Sequence, residues 1–146
     1  MEQAAYHELQ AYTLTRGDRT FIHQHVVDAW MAQHADESTK PIGLTFALVG
    51  LCLHLDHGFS GRQVQLAHMA LAKRSKTWPS FRLPSERGAM TAQHVMAAPA
   101  GSDRDHAIDA WCASVWDAFK ASHAEVQALL ERHAIVGVGG IGRNKR

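Results

Sequence analysis

The sequence has little charge imbalance and no long apolar run. Its 146 residues carry 15 lysines and arginines against 14 aspartates and glutamates, a formal net charge of +1. A composition without a strong overall field argues against nucleic-acid binding and against binding to an anionic membrane surface. The longest apolar run, 42–55, is too short and too interrupted to span a bilayer, so no membrane partner is expected.

Cysteine is also scarce. The only two, Cys52 and Cys112, fall within apolar helical patterns and are predicted to be buried free thiols. Free thiols are typical of a reducing compartment. The N-terminus lacks the basic start and apolar stretch of a signal peptide. Together these features predict a cytoplasmic protein.

Several common chemical motifs are missing. The glycine-rich stretch near the C-terminus lacks the Lys-Ser/Thr pair and the following helix of a phosphate-binding loop. The sequence contains neither an HExxH zinc motif nor the paired Glu-x-x-His of di-iron bundles. Neither cysteine lies in the context of a catalytic nucleophile. Any site must therefore be assembled from histidines and acids that lie on different helices.

Helical periodicity, by contrast, runs through the whole sequence, and no stretch alternates as a strand does. The sequence predicts an all-α fold, a compact bundle of four to five main helices around an apolar central helix, 42–57. Residues 1–134 are predicted to form a single helical domain and 135–146 a flexible C-terminal tail. Helices are expected at 2–14, 19–34, 41–57 and 61–73, with a short one after 91 and a long last one from 102 or 103 to about 133.

The central helix has a face of small residues. Gly43, Ala47 and Gly50 recur at i, i+4 and i+7, which lets another helix approach closely. The same line continues to His54 and His57. A branched side chain at Gly50 is therefore expected to overpack the core.

The sequence contains eleven histidines, spread from His7 to His133. Imidazole ligates metal ions and transfers protons near neutral pH. We therefore hypothesise a site for one divalent metal ion (zinc, nickel or iron), with a position left open for water if the site is catalytic. Its candidate ligands are Glu8, His23, His25, Asp28, His54 and His57.

Asp28 is the acidic residue of an otherwise apolar helix. A buried carboxylate is destabilising unless it is paired, so Asp28 is predicted to lie beside His23 or His25. His25 and Asp28 are about 60° apart around the helix, close enough to face one pocket. The alternative is a structural Asp–His pair that fixes helix packing.

The other candidates also have structural explanations. His54 and His57 lie at a predicted helix C-terminus, where a partly positive imidazole suits the helix dipole. His68, on an apolar face, is typical of a hydrogen-bonded core residue. A second hypothesis is a non-enzymatic binding module, whose aromatic loop at Trp78 faces a partner or a second copy of the chain. A third hypothesis is a structural helical bundle in which the histidines are only polar groups of the core.

A set of spaced residues in the first 60 positions resembles a family pattern. These residues are Tyr6-His7-Glu8, His23, Val27-Asp28-Ala29-Trp30, Gln33-His34 and Gly50-Leu51-Cys52-Leu53. The pattern is similar to that of a bacterial family of small all-helical proteins of unknown function, in which Tyr-x-Glu and a histidine precede Val-Asp-Ala-Tyr-x-x-Gln-His and an apolar helix containing Gly-Leu-Cys.

The resemblance implies no known activity. It singles out Glu8, His23, Asp28, Gln33 and His34. Many relatives begin with a Cys-x-x-Cys segment that looks zinc-binding, and this chain lacks it. Relatives also often carry a histidine where this chain has Ala47. If that histidine is a ligand, the resemblance implies that a family metal site is altered or absent here.

Overall fold

A computed structural model describes residues 1–137, which contain seven α-helices and no strand. The all-α prediction is confirmed for this range. The short helix expected after 91 is present as α5, and the one difference in number is that the predicted last helix is divided into two. The helices are α1 (Glu2–Leu14), α2 (His23–Gln33), α3 (Pro41–His57), α4 (Gly61–Arg74), α5 (Ala92–Ala97), α6 (Ser102–Ala118) and α7 (His123–Arg132).

Helix α3 is the central helix, as predicted. It packs against α2, α4, α6 and α7, and its middle from 44 to 53 is buried except at Phe46, which is half-buried. A helix that is apolar on every side is stable only when neighbours cover all of it. Pro41 begins the helix, and Gly58 ends it in the left-handed conformation, with φ 73°.

Helix α2 begins at His23, four residues later than predicted. The Asp18 side chain accepts hydrogen bonds from the backbone N–H groups of Thr20 and Ile22, which gives this backbone an alternative to helix. Phe21 lies in the left-handed region, with φ 58°, where a helix cannot continue. The apolar pattern predicted the helix correctly but could not locate this turn.

The predicted last helix is two helices. The chain leaves α6 at Phe119, passes through a 3-10 turn at Lys120–Ser122 and enters α7. Phe119 is buried, and both α6 and α7 pack on α3. The apolar spacing continues across the break because both helices face the same core, so periodicity alone predicted one helix.

Residues just beyond the predicted domain boundary at 134 still contact the core. Ile135 packs against the core and Val136 is buried, so packed residues extend at least two positions beyond 134. The rest of the predicted tail, from 138 to 146, lies outside the described residues. None of the helices described is long and apolar enough to cross a membrane.

Gln33, one of the residues that the resemblance singles out, joins α2 to the loop before α5 and to α6. Its Nε2 donates to the carbonyl groups of Met90 and Arg87, at 2.7 and 3.3 Å, and its Oε1 accepts from Trp111 Nε1 at 2.9 Å. We expect Gln33→Ala to lower the free energy of unfolding by about 2 kcal/mol, because it leaves the indole N–H of Trp111 without an acceptor.

Urea denaturation followed by circular dichroism measures this change. Gln3→Ala is the matched control, since Gln3 is exposed on α1, and its expected effect is below about 0.5 kcal/mol. Equal stability of the two variants would contradict the structural role given to Gln33.

Candidate functional site

Two of the predicted site residues, His25 and His54, meet in an open cleft of about 330 Å³. His25 comes from α2 and His54 from the last turn of α3, while α4 and α6 supply further walls. The cleft is lined by Thr20, Ile22, His25, His54, Gly58, Phe59, Ser60, Gln63 and Asp109. The fold therefore collects polar side chains from helices far apart in sequence at one place.

His54 is held between two acceptors. Its Nδ1 lies 3.1 Å from the carbonyl oxygen of Phe59, and its Nε2 lies 2.9 Å from Asp109 Oδ1. A carbonyl oxygen only accepts, so Nδ1 carries hydrogen and donates to it. A neutral ring would then turn the Nε2 lone pair toward a carboxylate. The Nε2 atom of His54 and the Oδ1 atom of Asp109 therefore require a positive charge between them, either a proton or a metal ion.

Asp109 completes this pair from α6. The hydrogen bond from His54 lowers the pKa of the Asp109 carboxyl below its usual range, which favours its ionised form. Asp109 was missed by the sequence analysis, because an exposed aspartate on a helix far along the chain has no motif of its own. Only the helix packing brings it to His54.

His25 lies against His54, with ring centroids 3.5 Å apart and planes 16° apart. It is 4% exposed, and its Nδ1 has no hydrogen-bond partner among the described residues. Burial, reinforced by the charge of His54, lowers the pKa of His25 to about 3. His25 is therefore a neutral imidazole at physiological pH, with one ring nitrogen unused.

Asp28 is buried, as predicted, but its position differs from the prediction. It is 3% exposed, and its Oδ1 accepts a hydrogen bond from Gln24 Nε2 at 3.1 Å. The prediction that it lies beside His23 or His25 is wrong. His25 and Asp28 are roughly 60° apart around α2. Because of this angle, His25 lines the cleft, whereas the Asp28 side chain packs against Gly50 of α3.

The second carboxylate oxygen of Asp28 fills the space that a side chain at Gly50 would occupy. This Oδ2 has no hydrogen-bond partner in the described part of the chain. Burial raises the pKa of Asp28 well above its usual range, so the environment favours the protonated acid. Asp28 is thus a buried polar group at a close helix contact.

The remaining predicted ligands lie elsewhere. Glu8 is exposed on α1. His23 Nδ1 is 2.9 Å from Thr13 Oγ1, and His57 Nε2 is 2.9 Å from Gln127 Oε1. Within residues 1–137, and with the side chains in the positions described, no three histidine, cysteine, aspartate or glutamate residues are grouped so that they could hold one metal ion. The six predicted ligands therefore do not converge.

His68 and Trp78 belong to an aromatic cluster around Phe46. The His68 ring stacks on Phe46, and its Nε2 lies 2.8 Å from the Phe46 carbonyl oxygen. Trp78 meets Phe46 edge to face, with centroids 5.5 Å apart. Phe81 is buried and Trp78 half-buried. The aromatic loop is thus docked on the core, and only part of Trp78 faces solvent.

Stacked aromatic side chains hold α1 against α2. Tyr6 stacks on Trp30 with centroids 4.1 Å apart, and Trp30 stacks on His34 at 3.6 Å. Burial raises the pKa of Tyr6, and nearby Asp28 adds to the shift. These side chains therefore contribute to the packing of α1 on α2, close to Asp28, and none of them lines the His25–His54 cleft.

Comparison with known proteins gives a family but no function. No curated protein and no solved structure matches this chain. Residues 3–120 match a family whose description is "family of unknown function" (DUF5946). The matched range begins in α1 and ends just after α6, so it contains every residue that lines the His25–His54 cleft. Since the match covers most of the sequence, the chain belongs to DUF5946, a family of unknown function.

Proposed function

We propose that the cleft binds a divalent transition metal ion, zinc or nickel, through His54 Nε2 and Asp109, with His25 as a third ligand. The observation that carries this proposal is the 2.9 Å distance between His54 Nε2 and Asp109 Oδ1, two atoms that need a positive charge between them. A metal ion that displaces the shared proton would meet this need.

The hydrogen bonds of His54 support the proposal. Metal-binding histidines commonly donate their other ring N–H to a carbonyl or carboxylate, which fixes the orientation of the ring. The Nδ1 contact with the Phe59 carbonyl oxygen has this form. Ligand atoms about 2.1 Å from an ion are separated by about 3 Å at the right angle common for nickel and by about 3.4 Å at the tetrahedral angle of zinc. Nε2 and Oδ1, 2.9 Å apart, fit the first geometry as they stand and need to separate by about half an ångström for the second.

His25 must turn before it can serve as the third ligand. In two stacked rings the nitrogen lone pairs lie in two nearly parallel planes that do not meet at the site, so the stacked His25 and His54 cannot both direct a lone pair at the same ion. The Nδ1 atom of His25 has no hydrogen bond to lose when the ring turns. The remaining coordination positions would open on the cleft, as in a catalytic site.

We also expect the protein to work in the cytoplasm. Cys52 and Cys112 are both free and buried, as predicted from the sequence. Burial raises the pKa of each thiol, so both favour the unreactive protonated form. Buried free thiols are compatible with a reducing compartment.

Calorimetric titration of the tag-free protein with Zn²⁺ and Ni²⁺ tests the metal proposal. We expect one ion per chain, and at least about tenfold weaker binding in His54→Gln and in Asp109→Asn, because each removes a ligand atom. His57→Gln and Asp103→Asn are matched controls from the same two helices, and neither side chain lines the cleft.

The controls are expected to bind as the wild type does. Equally weak binding by the wild type and all four variants would contradict the proposal. So would an equal loss in His57→Gln, since that would show a general contribution of surface histidines. Thermal melts of each apoprotein by circular dichroism separate lost ligands from lost folding.

A further inference from the structure

We propose that a second cleft, between the end of α4 and α7, binds a small aromatic carboxylate. The cleft has a volume of about 340 Å³ and shares no residue with the His25–His54 cleft. Its lining residues are Ser75, Lys76, Thr77, Trp78, Pro79, Glu125, Leu129, Arg132 and His133. A volume at the lower end of the range for small-molecule sites suits a ligand with a single ring.

The aromatic part of this cleft is held rigidly. Trp78 packs edge to face against Phe46, and Phe46 stacks on His68. The cleft is also lined by Leu129, which is buried, and by Pro79, which is half-buried. An indole fixed by core residues needs no ordering when a ligand arrives, and a flat ring gains most from contact with such a surface.

Two cations at the cleft are free to bind an anion. Lys76 and Arg132 are exposed, and neither takes part in the ion pairs found within residues 1–137. A guanidinium group binds a carboxylate through two parallel hydrogen bonds. Arg74 donates to the carbonyl groups of His133 and Ala134, which offsets the negative end of the α7 dipole beside the cleft.

The charge of the cleft favours a single carboxylate over a phosphate. Lys76 and Arg132 contribute two positive charges and Glu125 one negative charge, so the lining side chains have a formal charge of +1 when His133 is neutral. A monoanion matches this charge. A dianion would leave one charge uncompensated close to Glu125, which disfavours phosphate esters.

Benzoate is the probe, and the indole signals in ¹H–¹⁵N spectra of the whole protein are the readout. We expect the Trp78 indole signal, identified by its absence in Trp78→Phe, to shift and saturate. Benzamide has the ring without the charge, and cyclohexanecarboxylate has the charge without the aromatic ring. Each is expected to bind about tenfold or more weakly than benzoate, since each removes one of the two recognition elements.

Substitutions test the two cations. Arg132→Gln and Lys76→Gln are each expected to weaken benzoate binding about tenfold, whereas Lys73→Gln, an exposed lysine of α4 outside the cleft, binds as the wild type does. Asp109→Asn is expected to bind benzoate as the wild type does, because the two clefts share no residue, so failure of the metal proposal leaves this test unaffected. An absent or non-saturating shift, equal shifts with all three ligands, or an equal loss in Lys73→Gln would each overturn the inference.

Discussion

Replacing Gly50 with alanine is expected to lower the free energy of unfolding by about 3 kcal/mol, the upper end of the usual effect of overpacking a core. A methyl group at this position would overlap the Asp28 carboxylate. Gly50 and Asp28 are both buried between α2 and α3, so neither helix can move aside without disturbing the core. Urea denaturation followed by circular dichroism gives the value.

Two further variants make this prediction specific. Gly43→Ala lies on the same helix, where the nearest atom to an added methyl is Thr39 Cγ2 at 3.9 Å. It is expected to be neutral or stabilising by up to about 1 kcal/mol, since alanine favours helix. In an Asp28→Ala background, Gly50→Ala is expected to cost less than about 1 kcal/mol, because the overlapping group is gone. Additive losses in the double variant would show that Asp28 does not occupy this space.

Asp28→Asn is expected to stabilise the protein increasingly as the pH rises. Burial raises the pKa of Asp28 in the folded state well above its usual range, whereas in the unfolded chain it stays near about 3.9. Below the unfolded pKa both states hold the proton and the carboxyl is not destabilising. Above it the unfolded state releases the proton first, so wild-type stability falls until the folded pKa is reached.

Within this window the wild type should lose about 1.4 kcal/mol per pH unit relative to Asp28→Asn. The comparison isolates Asp28 at acidic and neutral pH, because burial raises the pKa values of the nearby Tyr6 and Cys112 above their usual ranges, and neither group releases its proton there. Denaturation curves at a series of pH values from 4 upward measure the difference. Asp117→Asn, an exposed carboxylate of α6, is the control and should show no such slope. A constant difference between wild type and Asp28→Asn would contradict a raised pKa.

Sequence patterns predicted the helices well where local signals agree. The helix at 61–73 and the short helix after 91 begin where they were predicted. In the structure a capping box of Ser60 and Gln63 begins α4, and Thr91 caps α5, and both are local signals because a cap is made by residues three apart. The start of α2 was not predicted, because it depends on hydrogen bonds to the Asp18 side chain. The break at Phe119 was not predicted, because the helices on both sides of it pack on the same core.

The candidate site was predicted only in part. His25 and His54 were chosen for residue type and position on apolar helices, and the fold places them in contact. The same local criteria also selected Glu8, His23 and His57. In the structure Glu8 is exposed, and the two histidines contact side chains outside the cleft. Helical spacing indicates which residues share a face, but not which neighbour that face will meet.

The sequence by itself determined the fold class, the apolar central helix, the burial of both cysteines and the burial of Asp28. Each follows from local periodicity and from the cost of leaving apolar surface in water. Only the tertiary structure decided that Asp28 faces Gly50, that Asp109 meets His54, and that Trp78 lines a basic cleft. The first two contacts join residues 22 and 55 positions apart. Which residues meet depends on how whole helices cross, and no local pattern encodes this.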